Sequence, residues 1–375
     1  MKTVKVNLKN QSYPILIGRG LLSAVGRLLK PLRPGSKVLI VSNRKVAGLF
    51  LKTVRDSLER AGFEAVRPCL LRQGDERDKS KESLFRVWEH MAQEGLERGS
   101  AVLALGGGVV GDLAGFAAST YMRGISLVQV PTTLLAQVDS AIGGKTAIDL
   151  ALAKNVIGTF YEPRLVIVDV ETLKRMGLKK SGLRALRNSF AEIIKYGMIQ
   201  DFKLFESLEE KVKWFFLSAS KKSLGEAELS FLETVIEHSA AVKARVVEED
   251  ERETRGKRMI LNYGHTFAHA FEAERNFRLP HGEAVALGMV CAARLARERG
   301  MLSRGDELRQ NQLIQQVGLA TDIHRYHFRG ERVISAMLLD KKKIGGKLRF
   351  ILPLAIGRVK VVKDVSLSEV RGVLR

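Results

Sequence analysis

The chain has 375 residues, 45% of them hydrophobic and 27% charged, a balance that fits roughly two globular domains of ~100–200 residues and excludes an extended low-complexity protein. Its formal net charge of +21, from 62 Lys+Arg against 41 Asp+Glu, invites a nucleic-acid reading. No zinc-finger spacing, RNP-type aromatic motif or basic tail supports one, and a basic surface equally suits anionic substrates.

Residues 1–8 alternate as a strand (Val4, Val6, Leu8) and lack the apolar run of an export signal. Nowhere does an apolar stretch reach the ~18 residues of a membrane span. Cys69 and Cys291 are too few for a disulfide framework and are not a CxxC pair, which fits a reducing cytoplasm. The first half then alternates. Strands are expected at residues 37–42, 64–70, 101–105, 126–130 and 165–168, and helices at 46–61, 80–95 and 109–120. Residues 13–17 and 2–8 form a possible antiparallel edge. Such alternation predicts a mostly parallel sheet covered on both faces. After about residue 173 helical periods dominate, at 190–199, 231–249, 259–274 and 283–299, before a strand at 348–352. The expected division is an α/β domain over 1–177 and a mainly helical domain over 178–375, with an active site in the cleft between them.

The strand at 101–105 runs into Gly106-Gly-Gly-Val-Val-Gly111-Asp112. This is G-x-G-x-x-G spacing between a strand and a helix, where glycine lets backbone N–H groups approach a pyrophosphate. The motif sits mid-domain, and no acidic residue follows at ~20 residues to take a ribose hydroxyl. A turn needed only for strand–helix geometry is the competing reading. Thr132, Thr133, Asp139, Lys145, Lys154 and Asn155 follow closely, and lysines crowded with threonines and glycines suit a phosphate-bearing ligand.

Three of the seven histidines, His265, His269 and His281, fall close together. Residues 261–269 read as helix, with His265 and His269 at i,i+4 and Asn262 on the same side. The zinc-protease pattern H-E-x-x-H fails, because Thr266 stands where its Glu would be. His281 opens the next helix. Glu192 and Lys195 lie at i,i+3 in an otherwise apolar helical segment, a costly placement unless something pairs them. Glu192, His265 and His281 would make a three-ligand metal site with open positions. Each histidine could instead cap or pack locally.

These segments together resemble the 3-dehydroquinate synthase family of sugar-phosphate cyclases, nearly end to end. The carrying motifs are GGGVVGDLAGFA from Gly106, RG at Arg123, PTTLLAQVDSAIGGK from Pro131, KN at Lys154, AEIIKYG from Ala191, LNYGHTFAHA from Leu261, HGEAVALGM from His281 and DKK from Asp340. The resemblance implies a Rossmann-like NAD-binding α/β domain, a helical domain holding a divalent metal (zinc or cobalt), and a cytoplasmic homodimer. It implies conversion of 3-deoxy-D-arabino-heptulosonate 7-phosphate to 3-dehydroquinate and phosphate, in the shikimate pathway of aromatic amino acid and chorismate biosynthesis. The steps are transient oxidation by NAD, phosphate elimination, reduction and aldol closure.

By position, the resemblance assigns the metal to Glu192, His265 and His281. It assigns NAD to Glu76, Lys79, Gly108, Val109, Val110, Gly111, Asp112, Thr132, Thr133, Lys145 and Lys154. Substrate contacts fall to Arg123, Asp139, Lys145, Asn155, Lys195, Lys243, Arg258, Asn262, His269 and a lysine of the Lys341–Lys342 pair. Among these, His269, Lys195, Asn262 and Lys145 are the catalytic candidates, with His269 handling protons. The chain departs from the family pattern at Ala147-Ile148-Asp149, Ala153, Ser189 and Asp75, and in a longer basic segment at 177–187. The rival readings are a deoxy-inosose or valiolone cyclase, a metal-dependent polyol dehydrogenase of related fold, and a nucleic-acid-binding side role.

Overall fold

A computed structural model describes residues 1–375 except 10, 33–34, 151–152, 176–179, 221–223 and 344–347, and leaves out the side chains of 180 and 340–343. The expected substrate lysines Lys341 and Lys342 therefore lie outside the described side chains, as does the start of the basic segment. The chain divides into two compact units, Met1–Gly177 with Gly225–Arg252, and Leu178–Leu224 with Glu253–Arg375.

Among the described residues the first unit is built on ten strands: β1 Lys2–Val6, β2 Tyr13–Gly18, β3 Lys37–Asn43, β4 Glu64–Ala65, β5 Cys69–Leu71, β6 Ala101–Gly106, β7 Ser126–Pro131, β8 Lys145–Leu150, β9 Ala153–Phe160 and β10 Leu165–Asp169. Eight of them form one sheet, ordered β1-β2-β10-β7-β6-β3-β4, with β5 also on β3. It is parallel throughout except for β1, which pairs antiparallel with β2 at the edge.

Period-two alternation explains its two covered faces. Leu39, Val41, Val102 and Ala104 pack with Leu113, Ala114 and Ala117 of the helix Gly108–Thr120 and with Leu84, Val87 and Met91 of the helix Lys81–Gln93. The residues between them, Val38, Ile40, Ala101 and Leu103, pack on the other face with Phe50, Val54 and Leu58 of the helix Arg44–Arg60. That helix starts at Asn43, whose side chain accepts Val46 N–H at 2.9 Å, an N-cap. The helix Glu226–Glu249 joins this unit through Lys2 Nζ to Glu237 at 2.5 Å, Asn7 N–H to Glu248 at 2.6 Å and Arg19 Nε to Glu233 at 2.8 Å.

The second unit is mainly helical, with the helices Lys180–Ile199, Phe202–Ala219, His265–Glu274, His281–Glu298, Arg304–Val317 and Gly330–Lys343, and a hairpin of β11 Phe350–Ala355 and β12 Arg358–Val362. Its core is aromatic. Phe190 stacks on Phe215 at 5.6 Å and meets Phe216 edge-on at 5.0 Å, while Phe267 lies 5.4 Å from Phe350. Among the described residues no helix is long and apolar enough to cross a membrane.

Two expectations need correction, and one element was not expected. Residues 64–70 are two short strands, β4 and β5, not one. The helix expected over 259–274 is broken. A 3-10 turn spans Lys257–Asn262, and Gly264 at φ +80° restarts the chain as a helix at His265, so Asn262 does not share that helix face. The polar stretch after Pro131 contains a β8–β9 ribbon that no alternation announced, because β9 is exposed along most of its length.

Candidate active site

In the first unit, β3 connects onward to β4 and β5 on one side, and β6 connects to β7 on the other. The carboxyl ends of β3 and β6 thus flank a topological switch point, where ligands of open α/β sheets bind. The turn Gly106–Gly107–Gly108 leaves β6 there. The reading of its glycines as needed for strand–helix geometry has support in the packing. A Cβ on Gly106 would lie 2.5 Å from Val110, so packing demands glycine there, while one on Gly111 would lie 2.8 Å from the Gln129 amide, which would have to move. No side chain caps the helix Gly108–Thr120, so its first N–H groups remain for solvent or an anion. The hydroxyl of Thr132, fully buried beside this turn with its N–H on Gly106 O at 2.9 Å, has no hydrogen-bond partner of its own among the described residues. An uncapped, glycine-lined helix start beside an unsatisfied hydroxyl fits a dinucleotide phosphate.

Several expected residues gather near this helix. Lys79 is buried, and its Nζ donates to Asp112 at 2.7 Å and to Asn155, with Glu76 3.8 Å away. Burial pushes Asp112 up to about 6 against the pull of Lys79. Asn155, in the left-handed region at φ +55°, is held there by its N–H donating to Asp149 at 2.7 Å. The buried Asp78 accepts Gln73 and Gly74 N–H at 2.9 and 2.5 Å, ordering the turn that carries Glu76 and Lys79. Lys243, on Glu226–Glu249, donates to the backbone oxygen and Oδ1 of Asp139, both at 2.5 Å. The turn bearing Asp139 is anchored by the fully buried Gln137, whose amide nitrogen reaches Thr172 Oγ1 at 3.0 Å and Pro131 O at 3.2 Å. Arg123, Lys145 and Lys154 are exposed.

The second unit brings Glu192, His265 and His281 together, with one ligand atom from each lying within 4.8 Å of the others. Three helices deliver them. Glu192 is inside Lys180–Ile199, and the two histidines are the first residues of their helices. Close backbone approaches fix the spacing. A Cβ on Gly282 would fall 2.1 Å from Asn188 O, and Glu283 N–H donates to Asn188 Oδ1 at 3.0 Å, locking the His281 helix onto the Glu192 helix. A Cβ on Gly288 would fall 2.1 Å from Gly264 O, locking the His265 helix onto the His281 helix.

The rings are aimed from behind. His265 Nδ1–H donates to Tyr263 O at 3.2 Å and His281 Nδ1–H to Glu272 at 3.1 Å, which leaves both Nε2 atoms facing Glu192 Oε1, at 3.5 and 3.3 Å. Glu192 is 1% exposed and neither of its oxygens accepts a hydrogen bond, although Lys195 pairs with it ionically. Against its burial, Lys195 and the two histidines hold its carboxyl well below the usual range. Burial drives His265 down to about 3, so its neutral ring offers a lone pair. For His281 burial also lowers, but Glu192 and Glu272 together raise it to about 10. A buried carboxylate faced by two imidazole nitrogens, with His265 neutral and His281 able to give up its proton to an incoming ion, fits a divalent cation with open positions.

Of the other expected residues of this unit, His269 and Lys195 lie beside that centre. His269 is exposed, with its ring 5.4 Å from that of His265, Asn262 is exposed, and Arg258 and Lys195 are buried. Glu272 was absent from the sequence candidates. Its signal was a position seven residues after His265 on the same helix face.

Residues 69–182 match the family described as 3-dehydroquinate synthase N-terminal, and 189–343 the corresponding C-terminal family. The chain is 44% identical to a 3-dehydroquinate synthase of Desulforamulus reducens, over 100% of this chain and 99% of the relative. Its identity to one from Pelotomaculum thermopropionicum is 45%, over 97% and 93%. Among solved structures, a 2-epi-5-epi-valiolone synthase of Streptomyces hygroscopicus with NAD+ and Zn2+ bound superposes with a TM-score of 0.85 at 27% identity, covering 98% of this chain and 97% of that one. A 2-deoxy-scyllo-inosose synthase complexed with carbaglucose-6-phosphate, NAD+ and Co2+ gives 0.83 at 25%, covering 100% and 99%. Glycerol dehydrogenase from Schizosaccharomyces pombe, at 0.64 and 16% over 96% and 87%, shares the fold alone.

Proposed function

The chain belongs to the 3-dehydroquinate synthase family, and from that premise we infer that it converts 3-deoxy-D-arabino-heptulosonate 7-phosphate to 3-dehydroquinate and phosphate. It is an NAD- and metal-dependent carbon–oxygen lyase of the shikimate pathway. The observation that carries this reading is the convergence of Glu192, His265 and His281 inside the segment that matches the family's C-terminal part.

The bound metal would supply Lewis-acid polarisation and NAD a reversible hydride acceptor. The chain's own residues do the rest. Glu192, His265 and His281 hold the ion. Gly108, Val109, Val110, Gly111 and Asp112 offer the helix start to the dinucleotide phosphates, with Thr132 and Thr133 beside it and Glu76, Lys79, Lys145 and Lys154 as further contacts. Arg123, Lys145, Lys243 and Arg258 anchor an anionic sugar phosphate, and Asp139, Asn155 and Asn262 orient its hydroxyls. Lys195, buried against Glu192, stands where substrate oxygen gains negative charge. His269, exposed beside the metal histidines, moves the proton.

The protein works as a cytoplasmic homodimer in this reading. Parallel assays with the heptulosonate phosphate and with a hexose 6-phosphate test the substrate assignment. Turnover of the first alone is expected, and turnover of the hexose phosphate alone would move the chain to the inosose type.

A further inference from the structure

We propose that Glu272 is a positioning residue of the metal centre, its carboxylate accepting the Nδ1–H of His281 and so fixing the ring with Nε2 facing Glu192. The inference rests on the metal reading above and adds a residue to it. The two metal histidines are held differently. The His265 side chain is 13% exposed and donates to a backbone carbonyl, which no substitution removes. The His281 side chain is 41% exposed, at the first position of its helix, so less packing restrains its rotation. Among the described residues, Glu272 is the group within hydrogen-bond reach of its Nδ1, at 3.1 Å.

Glu272 is itself well placed to hold still. Its side chain is 14% exposed, and it stands seven residues after His265 on one helix, two turns along the same face. One helix thus carries a metal ligand at its start and the orienting group of the other histidine near its end. A carboxylate behind an imidazole fixes the tautomer, restrains the ring and raises the basicity of the far nitrogen, and loss of such partners typically weakens metal binding about 10- to 100-fold.

The test is zinc affinity by competition against a chelating indicator, with the visible spectrum of the Co2+-loaded protein as a second readout. Wild type, Glu272→Gln, Glu272→Ala and His281→Ala are compared, with metal-free melting to check the fold. Glu272→Ala is expected to weaken zinc roughly 10- to 100-fold and to alter the Co2+ spectrum. Glu272→Gln, which keeps an acceptor without the charge, should fall between it and wild type, and it decides the matter if the alanine variant fails to fold. Wild-type affinity and spectrum in the folded Glu272 variants, with loss in His281→Ala, would overturn the role of Glu272 and leave the metal site standing. Wild-type affinity in His281→Ala would overturn the metal reading and the inference together.

Discussion

His281 is the residue on which the metal centre depends most visibly, since its ring lies between Glu192 at 3.3 Å and Glu272 at 3.1 Å. His281→Ala is expected to lose bound metal and activity together, measured by metal analysis and turnover, and full metal occupancy would contradict its ligand role. A pH dependence follows from the same contacts. Burial lowers its pKa, but the two carboxylates raise it to about 10, so below that pH the free ring carries a proton that a metal must displace. His265, driven down to about 3, and Glu192, held low, carry none near neutrality. Metal affinity should therefore weaken as pH falls, and zinc binding at pH 8 should release about one proton from this site. Calorimetry in buffers of different ionisation enthalpy measures that release, and its absence would contradict the assignment. These residues were legible in sequence because a Glu and a Lys inside an apolar helix need partners. Glu272 was not, because its partner lies nine residues away on another helix.

At the scale of elements, the ligands are spaced by helices in backbone contact. A methyl group on Gly282 would sit 2.1 Å from Asn188 O. Gly282→Ala should therefore cost about 1–3 kcal/mol in denaturant unfolding and weaken zinc binding, since the His281 helix must shift. Unchanged stability and affinity would show that this contact does not set the spacing. Gly48, exposed in the interior of Arg44–Arg60 with nothing within 4 Å of its would-be Cβ, is the counter-case. Gly48→Ala should stabilise by about 0.5–1 kcal/mol, read in the same unfolding experiment. The parallel strands were legible because buried β-branched runs alternate with helical periods. The break at Gly264 was not, because apolar spacing continues through it from the 3-10 turn into the helix. The ribbon β8–β9 was not, because its exposed strand lacks an apolar face.

At the scale of the whole molecule, the order of elements, a parallel sheet and then helices, was readable from the change in hydrophobic period. The return of Gly225–Arg252 to the first unit was not, because it rests on contacts between residues more than 200 apart, such as Lys2 and Glu237. The net charge of +21 fits an enzyme that gathers an anionic sugar phosphate. The central claim is a lyase that borrows and returns a hydride, and its most direct test is stoichiometric. The protein is incubated with 3-deoxy-D-arabino-heptulosonate 7-phosphate, a catalytic amount of NAD+ and Zn2+ or Co2+, and phosphate, dehydroquinate and NADH are followed together. Equal release of phosphate and dehydroquinate with no net NADH is expected, whereas steady accumulation of NADH without phosphate release would mark a dehydrogenase and contradict the account.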